Sequence, residues 1–151
     1  GKYSLNKKWV GKDAAKFLKE IGIDAGNDVR LIICETAENH PFVQHELMMP
    51  ILPVVRVKDI EEAIDMAVRA EHGNRHSAHI HSKNIDHLTD FARAVETTIF
   101  VKNAPSYAGI GAGGEGHTTF TIAGPTGEGL TSARSFTRQR RCVMVDGLHI
   151  V

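Results

Sequence analysis

The chain has 151 residues, 18 basic and 18 acidic side chains, 42% apolar and 24% charged residues. That length suits one ordinary domain burying roughly 68–70% of its unfolded surface, and the composition is globular rather than disordered. Zero formal charge argues against broad electrostatic binding to nucleic acid, and no apolar run approaches the ~20 residues of a membrane span.

Two cysteines cannot build a disulfide framework, which favours a reducing, cytoplasmic compartment. The first residue is glycine rather than methionine, which reads as a piece processed or excised from a longer chain.

Residues 1–28 read as a helical lead-in. Lys2 to Lys19 holds six lysines against Asp13. Asp13 is placed to N-cap a short helix with Phe17, Leu18 and Ile21 on one face and Gly22 at C′. Gly26-Asn27-Asp28 is a turn signal. Residues 29–103 follow as a βαβαβ core. Val29 to Cys34 is short, β-branched and apolar, which predicts a buried strand, and Ile51 to Val57 predicts a second. Asp59 with Glu62 has capping-box spacing, and Ile60, Ala63, Ile64, Ala67 and Val68 recur at helical spacing as far as Gly73. Ser77 to Ser82 predicts a strand. Asn84 then starts a helix with Ile85, Leu88, Phe91, Ala92 and Val95 on one side, and Thr97 to Val101 closes the series. Alternating strands and helices predict an α/β fold built on a mostly parallel sheet.

Residues 104–131 form a Gly-rich loop region. Gly109 to Gly129 contains eight of the chain's fourteen glycines, with the apolar insert Phe120 to Ala123. Residues 132–151 combine an Arg-rich segment (Arg134, Arg138, Arg140, Arg141) with a terminal strand, Cys142 to Val145. Gly109 to Gly114 fits G-x-G-x-x-G. The following residues are β-prone rather than helical, no acidic residue sits in a second strand, and no Lys-Ser or Lys-Thr follows. Dinucleotide-fingerprint and P-loop readings therefore fail. What remains is a structural loop or one that lets backbone approach a ligand.

Four histidines (72, 76, 79, 81) fall within ten residues. His79 and His81 share a strand face, but a turn at Gly73 separates His72 from His76. Hydrogen-bonded or solvated histidines are therefore favoured over a metal site. Cys34 reads as an inert thiol in an apolar strand. Cys142 follows two arginines that favour a thiolate, yet it opens a β-prone run, and no convincing nucleophile emerges. The arginine cluster suits ligand phosphates or ion pairs at a subunit contact. Glu46 precedes a Pro-bounded apolar strand. An ionised carboxylate has only acceptor sites, which suits a sugar diol.

Glu46-Leu47-Met48-Met49-Pro50, followed by a strand and the helix from Asp59, resembles the E-x-x-x-P element of the aldehyde dehydrogenase superfamily. Phe100 to Gly109, Gly113-Gly114-Glu115-Gly116, Pro125 to Gly129, Thr131 to Arg134 and Arg140 to Val143 are similar to its CoA-acylating branch, which acts on acetaldehyde, propionaldehyde and butyraldehyde. The resemblance runs from about Asn6 onward and implies the C-terminal part of a catalytic domain. The family's cofactor domain and nucleophilic cysteine would then lie upstream, with no catalytic residue in this chain and no metal.

In the complete family chemistry the cysteine thiolate adds to the aldehyde, hydride passes to NAD, and coenzyme A takes the acyl group from the resulting thioester. Carried over by position, Glu46 would bind the ribose hydroxyls beside the nicotinamide. Met48 would take the place of an aromatic next to that ring, and Pro50 would be the third cofactor-binding residue of the element. Ser106, Tyr107, Ile110 and Gly111 would wall the aldehyde pocket. The partners implied are a small aliphatic aldehyde, CoA and the rest of the same protein. Further copies would pair through the terminal strand, in the cytoplasm or a bacterial microcompartment, with no nucleic acid or membrane. A non-enzymatic α/β binding or assembly module is the alternative from a different class.

Overall fold

A computed structural model describes residues 3–114, 118–119, 122–123 and 129–146. It divides into two units, Gly1–His72 and Gly73–Val151. The first contains α1 (Ala14–Glu20), β1 (Ile32–Glu35), α2 (Pro41–Gln44), β2 (Ile51–Val54) and α3 (Ile60–Glu71). The second contains β3 (Ser77–Ile80), α4 (Ile85–Val95), β4 (Ile99–Lys102), a 3₁₀ turn (Ser106–Ile110), β5 (Ile122–Ala123), β6 (Gly129–Leu130) and a second 3₁₀ turn (Ala133–Phe136). The expected α/β fold with parallel strands is present. Among the described residues strands pair within units: β1 with β2 and β3 with β4 in parallel, β5 with β6 antiparallel.

In the first unit α1 starts after Asp13, whose side chain makes no cap bond. Its end is a Schellman turn. Ile23 N–H donates to Leu18 O at 2.9 Å and Gly22 N–H to Lys19 O at 3.0 Å, with Gly22 at φ +80°. Ile32↔Ile51 and Cys34↔Pro53 are register partners and share one sheet face. Ile32, Cys34 and Ile51 line a hollow of about 430 Å³ with Trp9, Phe17, Ile21 and Phe42. Ile33, Leu52 and Val54 face the other way and are exposed, Ile33 by 65%. The expected buried strand is thus covered loosely on one face only. Ile21, expected on the inner face of α1, is likewise exposed.

At α3 the Asp59 carboxylate accepts from Glu62 N–H at 2.9 Å, while the Glu62 carboxylate accepts from Lys58 N–H at 2.7 Å. The reciprocal bond of the capping box therefore lands one residue early. Arg69 on α3 pairs with Glu38 at 2.8 Å. This holds the Glu38 carboxyl below and the Arg69 guanidinium above their ordinary pKa values, chiefly through the shared hydrogen bond.

The second unit has the denser core. Leu88, Phe91 and Val95 of α4 are buried with Ala78, Ile99 and Val101. Phe91 meets Phe100 at 5.6 Å between ring centroids. Asn84 caps α4 by accepting from Asp86 N–H at 2.9 Å and His87 N–H at 3.4 Å. Ile85, expected on the buried side, is exposed at the first turn. α4 lies on the Phe100 face of β4, and the Ser106–Ile110 turn covers the other: Gly109 sits on Ile99 and Val101 with no room for a Cβ. The start of the expected Gly-rich loop is therefore a 3₁₀ turn docked on the sheet. Residues 120–121 of the apolar insert lie outside the described residues, whereas Ile122–Ala123 pairs with Gly129–Leu130.

The expected terminal strand is not formed within this chain's described residues. Residues 142–145 have no ladder partner among the described residues, and Val143, Met144 and Val145 are exposed. An extended run becomes a strand only when another strand supplies its hydrogen bonds.

Candidate functional site

Each unit presents one of the two constellations expected from the sequence. In the first, α2 ends at His45 and the chain enters the Glu46–Pro50 element. Here α2 itself is set by His40, whose Nδ1 accepts from Phe42 N–H at 3.1 Å, and by Gln44, which donates to Glu38 O at 2.7 Å. Met48 has a left-handed backbone, φ +53°, uncommon outside glycine, asparagine and aspartate. Its carbonyl accepts from Gly11 N–H at 3.1 Å, and the Pro50 carbonyl accepts from Ile32 N–H at 2.9 Å. Ile51 N–H closes a tight turn onto Met49 O at 2.8 Å. The element is therefore clasped by the Gly11 turn on one side and by β1 on the other. Glu46 is exposed and has no ion-pair partner among the described residues, so its acceptor oxygens are available to a ligand. Met48 is 63% exposed, and Pro50 is half-buried.

The second constellation is the 3₁₀ turn and its cap. Ser106 and Tyr107 are exposed, Tyr107 by 59%; Ile110 and Gly111 are half-buried. Ala108 N–H bonds Pro105 O at 2.9 Å and Ala112 N–H bonds Tyr107 O at 2.9 Å, while Gly111 takes φ +89°. G-x-G-x-x-G here follows a strand but opens no α-helix. Gly109 answers to the sheet beneath it and Gly111 to the turn's reversal, so their presence follows from the fold itself.

His79 is the register partner of Val101 and so belongs to the sheet face that this turn covers on β4. Partial burial, and then the neighbouring His81, hold its imidazole below the ordinary pKa. Among the described residues no three His, Cys, Asp or Glu side chains are placed to hold one metal ion. Cys34 is half-buried, with its thiol 3.9 Å from Leu52 O, and Cys142 is exposed. Arg134, Arg138, Arg140 and Arg141 are exposed and form no ion pair among the described residues.

Sequence reasoning missed two residues that set these sites. Gly11 fixes the Met48 carbonyl from 37 positions away (48 − 11), a pairing no local pattern reveals. Asn103, at φ +52°, bonds the backbone of Ser82 through both ends of its side-chain amide at 2.9 Å. Its signal was readable: asparagine tolerates the left-handed region, and here it directly follows a strand.

The profile of the aldehyde dehydrogenase family matches residues 13–137. The chain belongs to the aldehyde dehydrogenase family. An acetylating acetaldehyde dehydrogenase of Salmonella typhimurium is 54% identical over 151 residues, covering 100% of this chain and 32% of the relative. A propionaldehyde dehydrogenase from the Clostridium phytofermentans fucose-utilisation microcompartment superposes with a TM-score of 0.86 at 60% identity, over 96% of this chain and 33% of that one. A Rhodopseudomonas palustris propionaldehyde dehydrogenase, with bound CoA and an acylated cysteine, gives 0.85 at 57% identity over 93% and 33%. This aldehyde dehydrogenase chain thus spans about a third of the length of the relatives it matches. Family motifs at residues 115–116 and 125–128 lie outside the described residues.

Proposed function

We propose that this chain is the C-terminal third of an NAD-dependent, CoA-acylating aldehyde dehydrogenase converting a small aliphatic aldehyde and CoA to acyl-CoA. The observation that carries the reading is the Glu46–Pro50 element. An exposed, ion-pair-free carboxylate stands beside an exposed thioether whose unusual backbone is clasped from two sides. Those acceptors and surfaces fit the ribose edge of a nicotinamide nucleotide: two carboxylate oxygens accept from a vicinal diol, and a polarisable thioether packs against a flat ring.

The nucleotide, when bound, supplies the hydride acceptor. Glu46 holds the diol and so fixes the ring's distance from the reacting carbon. Met48 follows the ring without a rigid stack, which suits a site where NAD and CoA take turns. Ser106, Tyr107, Ile110 and Gly111 wall the aldehyde. The nucleophilic cysteine belongs to the remainder of the protein, so the 151 residues alone are inactive. Copies associate through Cys142 to Val145, whose apolar side chains stand exposed. The microcompartment origin of the Clostridium relative supports the same location here.

Glu46→Gln in the whole enzyme tests the reading. Loss of a charge-assisted hydrogen bond to the diol should raise the KM for NAD about ten- to hundredfold, with thiol labelling of the catalytic cysteine unchanged. Unchanged kinetics would remove Glu46 from the site.

A further inference from the structure

We propose that Asn103 is a positioning residue for the aldehyde pocket. Its side-chain amide takes the place of a missing strand and fixes where the Ser106–Ile110 turn leaves the sheet. The inference rests on the reading of that turn as pocket wall.

The strand β4 ends at Lys102, where the backbone ladder would otherwise fray. Asn103 N–H still bonds Ile80 O at 2.9 Å. Beyond that the side chain takes over: Oδ1 accepts from Ser82 N–H and Nδ2 donates to Ser82 O, each at 2.9 Å. A primary amide presents an acceptor and a donor side by side, as a peptide unit does, so the ladder gains one more rung. Meanwhile the left-handed backbone at Asn103 turns the main chain out of the sheet toward Pro105. Asparagine combines that backbone tolerance with that amide; aspartate lacks the donor and glycine lacks the side chain.

The clamp continues into the cap of α4. Ser82 Oγ accepts from Asn84 N–H at 3.1 Å, and Asn84 in turn caps α4. Gly109 on Ile99 and Val101 anchors the far end of the turn. Ser106 and Tyr107, the exposed pocket residues, lie between the two anchors. Release of Asn103 therefore frees the entry end, with Ser106 and Tyr107, and leaves Ile110 and Gly111 seated.

Two variants separate these roles. Asn103→Gly keeps the backbone conformation and removes both side-chain bonds; Asn103→Asp keeps the acceptor alone. In the 151-residue chain, hydrogen exchange at the Ala108 amide should rise about tenfold in Asn103→Gly and less in Asn103→Asp, with the Val95 amide unchanged. In the whole enzyme the KM for aldehyde should rise severalfold in the same order, with little change in the KM for NAD. Unchanged exchange at Ala108 would overturn the clamp. A lowered Tm with unchanged aldehyde KM and unchanged exchange would reduce Asn103 to a stability residue. Raised exchange with unchanged aldehyde KM would remove the turn from the pocket, overturning the proposal at that step while the clamp stands.

Discussion

Both units hold a parallel strand pair joined through a helix, yet they are finished differently. In Gly73–Val151, α4 lies on one face of β4 and the Ser106–Ile110 turn on the other, and among the described residues six of the seven buried apolar ones are found there. Among the described residues of Gly1–His72 only Ala14 is a buried apolar one, and Ile33, Leu52 and Val54 face outward. Parallel sheets are normally covered on both faces. The β1–β2 pair leaves an apolar face that the described residues do not cover. A strand pair can hold the Glu46–Pro50 element in a fixed backbone shape while one of its own faces stays open.

Mutations break this comparison in order of size. Phe91→Ala removes a buried ring that meets Phe100 and should cost the second unit about 3–5 kcal/mol, measured by urea unfolding. A loss under about 1 kcal/mol would mean that the second unit is as loosely packed as the first. Caps come next. Asn84 accepts from two amides, so Asn84→Ala should cost about 1–2 kcal/mol, and Asp59→Ala, with one amide, nearer 0.5–1 kcal/mol. Ile33→Thr keeps β-branching on the open face and should change the stability of this chain by less than about 0.5 kcal/mol. In the whole protein the same change should cost about 1–3 kcal/mol, because the hydroxyl would then be buried. Equal effects in both backgrounds would leave that face uncovered in the full-length molecule.

The smallest effect is in pH. His79 is held below the ordinary imidazole value, so the unfolded chain binds that proton more readily, and the second unit loses stability as pH falls through about 6.5. Glu38 is held below the ordinary carboxyl value by Arg69. Its contribution to the first unit is intact above that range and disappears only as pH falls into it. Hydrogen exchange followed from pH 8 downward should show the second unit softening first. His79→Gln should abolish that step, and Glu38→Gln the more acidic one, which added salt should also weaken.

Helix starts were legible because capping is local: Asp59 and Asn84 cap at the observed boundaries, and Asp13 stands at the third without a side-chain cap bond. Strand positions were legible from β-branched runs. Burial of β1 was not, since an apolar run such as Val29 to Cys34 reads identically whether its second cover lies within these residues or outside them. The docked turn at Ser106 was hidden for a related reason. Gly109 is a loop signal by composition, and only the approach of Ile99 and Val101 shows it to be a packing position. Residues 142–145 carry strand propensity, but a ladder needs a partner that the sequence cannot provide. Glu46 as an isolated acid said little. It gained meaning from the resemblance, and the clasp by Gly11 and β1 supplies the physical reason that the element has a fixed shape.

The central claim is that these residues form the nucleotide and aldehyde walls of an acylating dehydrogenase whose nucleophile lies elsewhere in the protein. NADH formation from propionaldehyde, CoA and NAD tests it most directly, assayed with the 151 residues alone and with the whole enzyme carrying Cys34→Ser and Cys142→Ser. The short chain should give no turnover, and the doubly substituted enzyme should retain it. Sustained NADH production by the 151 residues alone, or its loss in the doubly substituted but folded enzyme, would place the nucleophile in this chain and contradict the claim.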